Sequence, residues 1–169
     1  MSLGDSNIFN PLNNTNDTLI IYHGSFTEVK YPEIRVHRFT KDFSWGFYCT
    51  KIKNQAEKWA SKFLTPVVNV YSIKNLNMLN VKCFDDYCDE WLEFVVECRS
   101  GGVHSYDVVI GPMADDTIYD YIDAYLENKM NKEKFFKLMK FKYPTHQISF
   151  HTIKSLNNLE FLGSYEVSK

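Results

Sequence analysis

An apolar run, Leu19-Ile20-Ile21-Tyr22, delivers His23-Gly24-Ser25 to its end, and about a helix length later a second aromatic run reads Trp45-Gly46-Phe47-Tyr48-Cys49-Thr50. Both runs have the β-branched and aromatic make-up of strands, so the chain must build a sheet that carries polar groups at strand ends. Glycine lets another backbone or a ligand come close, histidine offers two ring nitrogens for hydrogen bonding, and tyrosine offers a face for stacking. That combination suits a cleft for a flat ligand.

The 169-residue length fits one domain, and 44% hydrophobic with 16% aromatic residues is enough apolar surface to offset the entropy of ordering. A net charge of −2 and the absence of a long Lys or Arg run argue against nucleic acid as the main electrostatic partner. Lys51, Lys53, Lys58 and Lys62 read as the solvated face of a helix. Cys49, Cys83, Cys88 and Cys98 match no common zinc spacing, so reduced thiols are expected, with Cys88 and Cys98 on or near a buried helix face. No apolar stretch is long enough to cross a bilayer, and a cytoplasmic location is the expectation. Residues 1–17 are rich in Ser, Asn, Asp and Gly and read as a disordered leader, with Met1-Ser2-Leu3 fitting an expression remnant; a single domain over 18–169 follows.

Periodicity predicts a strand over 18–22 ended by a turn at 23–25, a short strand at 34–36 and a second main strand over 45–49. Thr50 offers a hydroxyl cap for a helix over 52–64. Pro66 precedes a strand over 67–73, and helices are predicted over 85–98, from Asp115 and Asp116 to Leu126, and over 132–141. Strands are expected over 106–110, 146–151 and 160–167, with a turn or short helix from Ser155 between the last two. The plan is α+β.

The two opening motifs resemble the NAD-binding signature of the ADP-ribosyltransferase superfamily, in the branch of diphtheria toxin and the poly(ADP-ribose) polymerases. More narrowly, the chain resembles a bacterial family of unknown function with a small ADP-ribosyltransferase-like domain. That likeness is carried by Tyr22-His23-Gly24-Ser25, Asp42-Phe43-x-x-Gly46-Phe47-Tyr48-x-Thr50, Gln55-Ala56-x-x-Trp59-Ala60, Gly111-Pro112-x-Ala114-Asp115-Asp116 and Gln147-Ile148-Ser149-Phe150-His151-Thr152. The resemblance implies a split β-sandwich with NAD as substrate between two small sheets. It places His23 on a ribose hydroxyl, the Gly24 backbone, followed by Ser25, on the carboxamide, and the nicotinamide between Tyr48 and Trp59. Trp59 stands eleven residues beyond Tyr48, as the second aromatic does in the superfamily.

The superfamily's late-strand glutamate is replaced here by Gln147, whose amide gives weaker support to developing positive charge. Asp115 and Asp116 are the reserve carboxylates, although capping a helix is their commoner use. The implied activity is mono-ADP-ribosylation of a protein or nucleic-acid acceptor with release of nicotinamide, and polymer formation is disfavoured by the missing glutamate. A toxin role would bring a small neutralising partner protein. The alternatives are a weak or inactive NAD or ADP-ribose binding module, and an unrelated interaction domain. No metal site and no membrane contact are expected.

Overall fold

A computed structural model describes residues 18–36, 41–114, 116–139 and 145–168, with only the backbone described at 116–119 and 139. Strand β1 (Leu19–Ser25) runs past its expected end. His23, Gly24 and Ser25 lie opposite Asn69, Val68 and Val67 of β3 (Val67–Ile73), so the expected turn is replaced by ladder bonds that satisfy those backbone groups. Strand β2 (Phe47–Cys49) and helix α1 (Lys53–Ala60) are both shorter than expected. Thr50 does not cap α1: its Oγ1 accepts from Ile52 N at 3.1 Å, and the helix starts only after Ile52. Residues 34–36 are irregular instead of a strand.

A 3-10 turn, Leu76–Met78, leads to β4 (Val81–Cys83), which the periodicity does not reveal. Helix α2 (Asp89–Arg99) begins four residues late because Cys88 caps it, its Sγ accepting from Trp91 N at 3.5 Å. Cys88 is therefore exposed while Cys98 is buried, and none of the four cysteines is in a disulfide. Then follow β5 (Val108–Gly111), α3 (Asp116–Leu126), α4 (Lys132–Met139), β6 (Gln147–Phe150), α5 (Ile153–Leu156) and β7 (Leu159–Glu166). The expected end of α4 at Phe141 lies outside the described residues.

The strands form two sheets, ordered β1-β3-β7 and β2-β6-β5-β4, antiparallel except for the β4–β5 pair. Their inner faces share a core of Ile21, Phe47, Tyr71, Ile73, Val108, Ile110, Ile148 and Phe150. Alternation sends Val109 to the other face, where Phe43, Trp91, Leu92, Val95, Ile122 and Phe135 cover the larger sheet. Ala56 and Ala60 of α1 pack on Val68 and cover the smaller sheet. The fold is α+β, with helices outside two facing sheets. The sheets are stitched by one two-bond bridge, Tyr22 N to Thr50 O at 2.7 Å and Thr50 N to Tyr22 O at 2.9 Å. That bridge sets the end of β1 beside β2.

Candidate functional site

Directly after the bridge, His23 donates from Nδ1 to the Tyr48 carbonyl over 2.7 Å. A carbonyl can only accept, so the proton sits on Nδ1 and Nε2 is left as an acceptor. Burial lowers the His23 pKa to about 4, helped by Lys41 and Arg35 and opposed by the Tyr48 bond, so the ring is neutral at pH 7. The His23 ring also packs on Phe47, centroids 4.5 Å apart.

Tyr48 is held from its other end. Its hydroxyl donates to Ser44 O at 2.6 Å and accepts from Phe43 N at 3.1 Å, closing a loop in which Ser44 has φ 70°. A serine in that left-handed region costs free energy, and the tyrosine holds it there. Lys41 Nζ stands over the Tyr48 ring, 4.5 Å from its centre. Burial against the ring lowers the Lys41 pKa, with Asp42 opposing, although the residue as a whole is exposed.

Three imidazoles donate to carbonyls of this one segment. His104 Nε2 bonds Phe43 O at 3.0 Å, His151 Nδ1 bonds Trp45 O at 2.8 Å, and His23 bonds Tyr48 O. Gly46 is needed here, because a Cβ would fall 2.8 Å from Phe150 O and 2.9 Å from His151 Nδ1. The segment bearing Tyr48 is thus braced from β1, from β6 and from the loop after α2.

Gly24 faces α1 so closely that a Cβ would lie 2.5 Å from Ala56 O, 2.9 Å from Ala60 N and 3.2 Å from Trp59 Cδ1. This sets the Trp59 indole beside Gly24 with 47% of its surface exposed, and Lys62 Nζ lies 4.3 Å from the ring centre. Gln55 anchors the same helix to the start of β6: its Nε2 donates to His146 O at 2.7 Å and its Oε1 accepts from His146 N at 3.0 Å. Ser25 is buried at the end of β1. The loop beyond it is tied to Asn69, whose Oδ1 accepts from Val29 N at 2.7 Å and whose Nδ2 donates to Thr27 O at 3.1 Å.

Tyr48 lies opposite Ser149 in the β2–β6 ladder, so Gln147, two residues away, projects from the same face. Gln147 is only 5% exposed, and its Nε2 donates to Asp42 Oδ2 at 3.0 Å and to Pro112 O at 3.1 Å. Asp42 Oδ2 also accepts from Ala114 N at 2.9 Å. Three separated motifs therefore converge on one buried carboxylate. Sequence reasoning picked out Asp42 only as part of a motif, because nothing local shows that a residue 105 positions away is its partner. Of the reserve carboxylates, Asp115 lies outside the described residues, and Asp116 is the first residue of α3 with its side chain undescribed.

Among the described residues no group of three or more His, Cys, Asp or Glu is placed to hold a metal ion, and no helix is long and apolar enough to cross a membrane. The chain is thus a two-sheet α+β domain in which a neutral histidine, a braced tyrosine and a buried Asp–Gln pair flank the junction of the sheets. It belongs to the family described as protein of unknown function DUF3990, which matches residues 19–161. No curated protein and no solved structure matches it.

Proposed function

We propose that the domain is an NAD-dependent mono-ADP-ribosyltransferase. The observation that carries this reading is the His23–Tyr48 bond, which joins two distant motifs and leaves one neutral ring nitrogen able to accept from a ribose hydroxyl. The Tyr48 face already takes the cationic Lys41, and a nicotinamide that is a pyridinium in NAD suits such a face on the same electrostatic grounds. Trp59 supplies a second aromatic surface beside Gly24.

In the reaction, the bond between the anomeric carbon and the nicotinamide nitrogen breaks with its electron pair passing to nitrogen, so neutral nicotinamide leaves. The acceptor's nucleophile forms the new bond to that carbon and gives its proton to solvent. Catalysis then rests on holding the ribose and supporting positive charge on it.

Purified protein should melt higher with NAD. At 100 times the dissociation constant, linkage gives about 2.7 kcal/mol, or roughly 5–11 °C for a chain of this size. Free nicotinamide should accumulate in the same samples. An unchanged melt at saturating NAD would remove the cofactor assignment, and binding without nicotinamide release would leave a binding module.

Trp59 offers a clean probe because it is half exposed. Trp59→Ala should leave the melt of the free protein within a few degrees while weakening NAD binding by on the order of 1–3 kcal/mol. Isothermal titration of the variant decides it: wild-type affinity would make Trp59 a packing residue alone.

A further inference from the structure

Gln147 stands where the resembled superfamily has a carboxylate, yet a carboxylate is present one hydrogen bond behind it. Asp42 Oδ2 lies 3.0 Å from Gln147 Nε2, and both residues are buried, at 3% and 5% exposure. The amide orientation is forced, since Asp42 Oδ2 and Pro112 O are both acceptors and only the NH2 end can serve them. With both N–H groups committed, Oε1 is the remaining polar atom of the side chain, and it makes no hydrogen bond among the described residues.

We propose that Asp42 and Gln147 act as one unit in the transfer reaction, Asp42 being a positioning residue that fixes the Gln147 amide and polarises it. This rests on the transferase reading and names the group that replaces the absent glutamate. A carboxylate accepting from an amide N–H pushes electron density toward the amide oxygen, and the low-dielectric surroundings strengthen that effect. Oε1 then meets a ribose hydroxyl as a stronger acceptor than a lone glutamine would be. The Asp42 charge itself also favours positive charge developing on the ribose. Ala114 N and Pro112 O complete the frame, so the pair is preorganised before any ligand arrives.

Pairing also explains why glutamate would be a poor residue at this position. Gln147→Glu would set two carboxylates about 3 Å apart in a buried place, where they cannot both ionise. The exchange of roles, Asp42→Asn with Gln147→Glu, restores one amide and one carboxylate but not the whole frame, because Pro112 O then faces an acceptor and Ala114 N needs the amide oxygen at position 42.

The experiment measures nicotinamide release and the melting temperature for the wild type, Asp42→Asn, Gln147→Glu and the double exchange. Asp42→Asn should lower kcat about tenfold while leaving KM for NAD within about twofold. Gln147→Glu alone should melt lower than wild type. The double exchange should melt above Gln147→Glu and reach at least the wild-type kcat, because the carboxylate then stands directly on the ribose. A merely structural pair would gain melting temperature over Gln147→Glu in the double exchange without recovering kcat, and that result overturns the proposal. So does an Asp42→Asn enzyme with wild-type kcat, in which case the transferase reading survives alone. A wild-type protein that releases no nicotinamide at saturating NAD sinks both.

Discussion

Gly24→Ala is expected to destabilise the protein by about 3 kcal/mol, a fall of roughly 6–12 °C in melting temperature. The added Cβ would meet two backbone atoms of α1, Ala56 O at 2.5 Å and Ala60 N at 2.9 Å, and neither can rotate away as a side-chain tip could. Relief requires β1 and α1 to separate, which opens the small core of Ala56, Ala60 and Val68. The indole of Trp59 would be pushed as well, since its Cδ1 lies 3.2 Å from the same point. A thermal melt of the ligand-free variant tests this. If Gly24 serves only to let a ligand carboxamide approach, the free variant will melt like wild type and lose only NAD binding. The expectation here is that both fall, because the residue first sets the distance between strand and helix.

That double duty shows where sequence reasoning reaches and where it stops. The β-branched and aromatic run of β3 and the double-sided apolar run of β5 are visible because strands buried on both faces favour such residues along their whole length. The motif Gln55-Ala56-x-x-Trp59-Ala60 is visible as a helix face, and each member has its own part in the structure. Gln55 clamps β6, the alanines admit Gly24, and Trp59 lies at its side. Strand β4 is invisible. Its three residues owe their conformation to parallel pairing with β5 and to the Phe84 N–Ile110 O bond of 2.8 Å, neither of which leaves a local trace. Cap positions mislead for a related reason. Thr50 has the right side chain, but its backbone is committed to the bridge with Tyr22, so the helix must begin later. Cys88 caps α2 although thiols are uncommon there, since its sulfur happens to meet Trp91 N. Within the candidate site, His23, Gly24, Tyr48 and Trp59 could be singled out by the motifs that carry the resemblance. The parts played by Asp42, His104 and His151 could not be read, because each acts through a partner far away in the chain.

Stability should fall steeply as pH drops from 6.5 towards 3–4, and three imidazoles, His146 buried and His23 and His151 half-buried, set that window. Burial holds His23 and His151 at about 4 and His146 at about 3, against an ordinary value of 6.5. Lys51 adds to the effect on His146 and His104 to that on His151, while the Trp45 carbonyl opposes it at His151. Each ring is neutral in the folded chain and gains a proton more readily once unfolded. The unfolded state therefore binds more protons below pH 6.5, and folding stability drops with pH until the folded rings titrate too. At pH 5 each ring could cost about 2 kcal/mol, and solvent around the half-buried His23 and His151 reduces the combined loss to about 3–5 kcal/mol. Against a total stability of about 5–15 kcal/mol, this is a large share. Urea titrations at pH 7, 6 and 5 should show the midpoint falling at each step, and a constant midpoint would refute the assignment of these rings as neutral and buried. His146→Asn isolates one contribution. Its amide oxygen can still accept from Lys51 N, as His146 Nδ1 does over 3.2 Å, but it takes up no proton. The variant should lose less stability than wild type between pH 7 and pH 5, by about 2 kcal/mol. The same titration bears on the site, because His23 must be neutral for Nε2 to accept from a ribose hydroxyl. Burial keeps it neutral down to about pH 4, and the Nδ1 bond to Tyr48 holds the required tautomer only while the two strand ends remain joined.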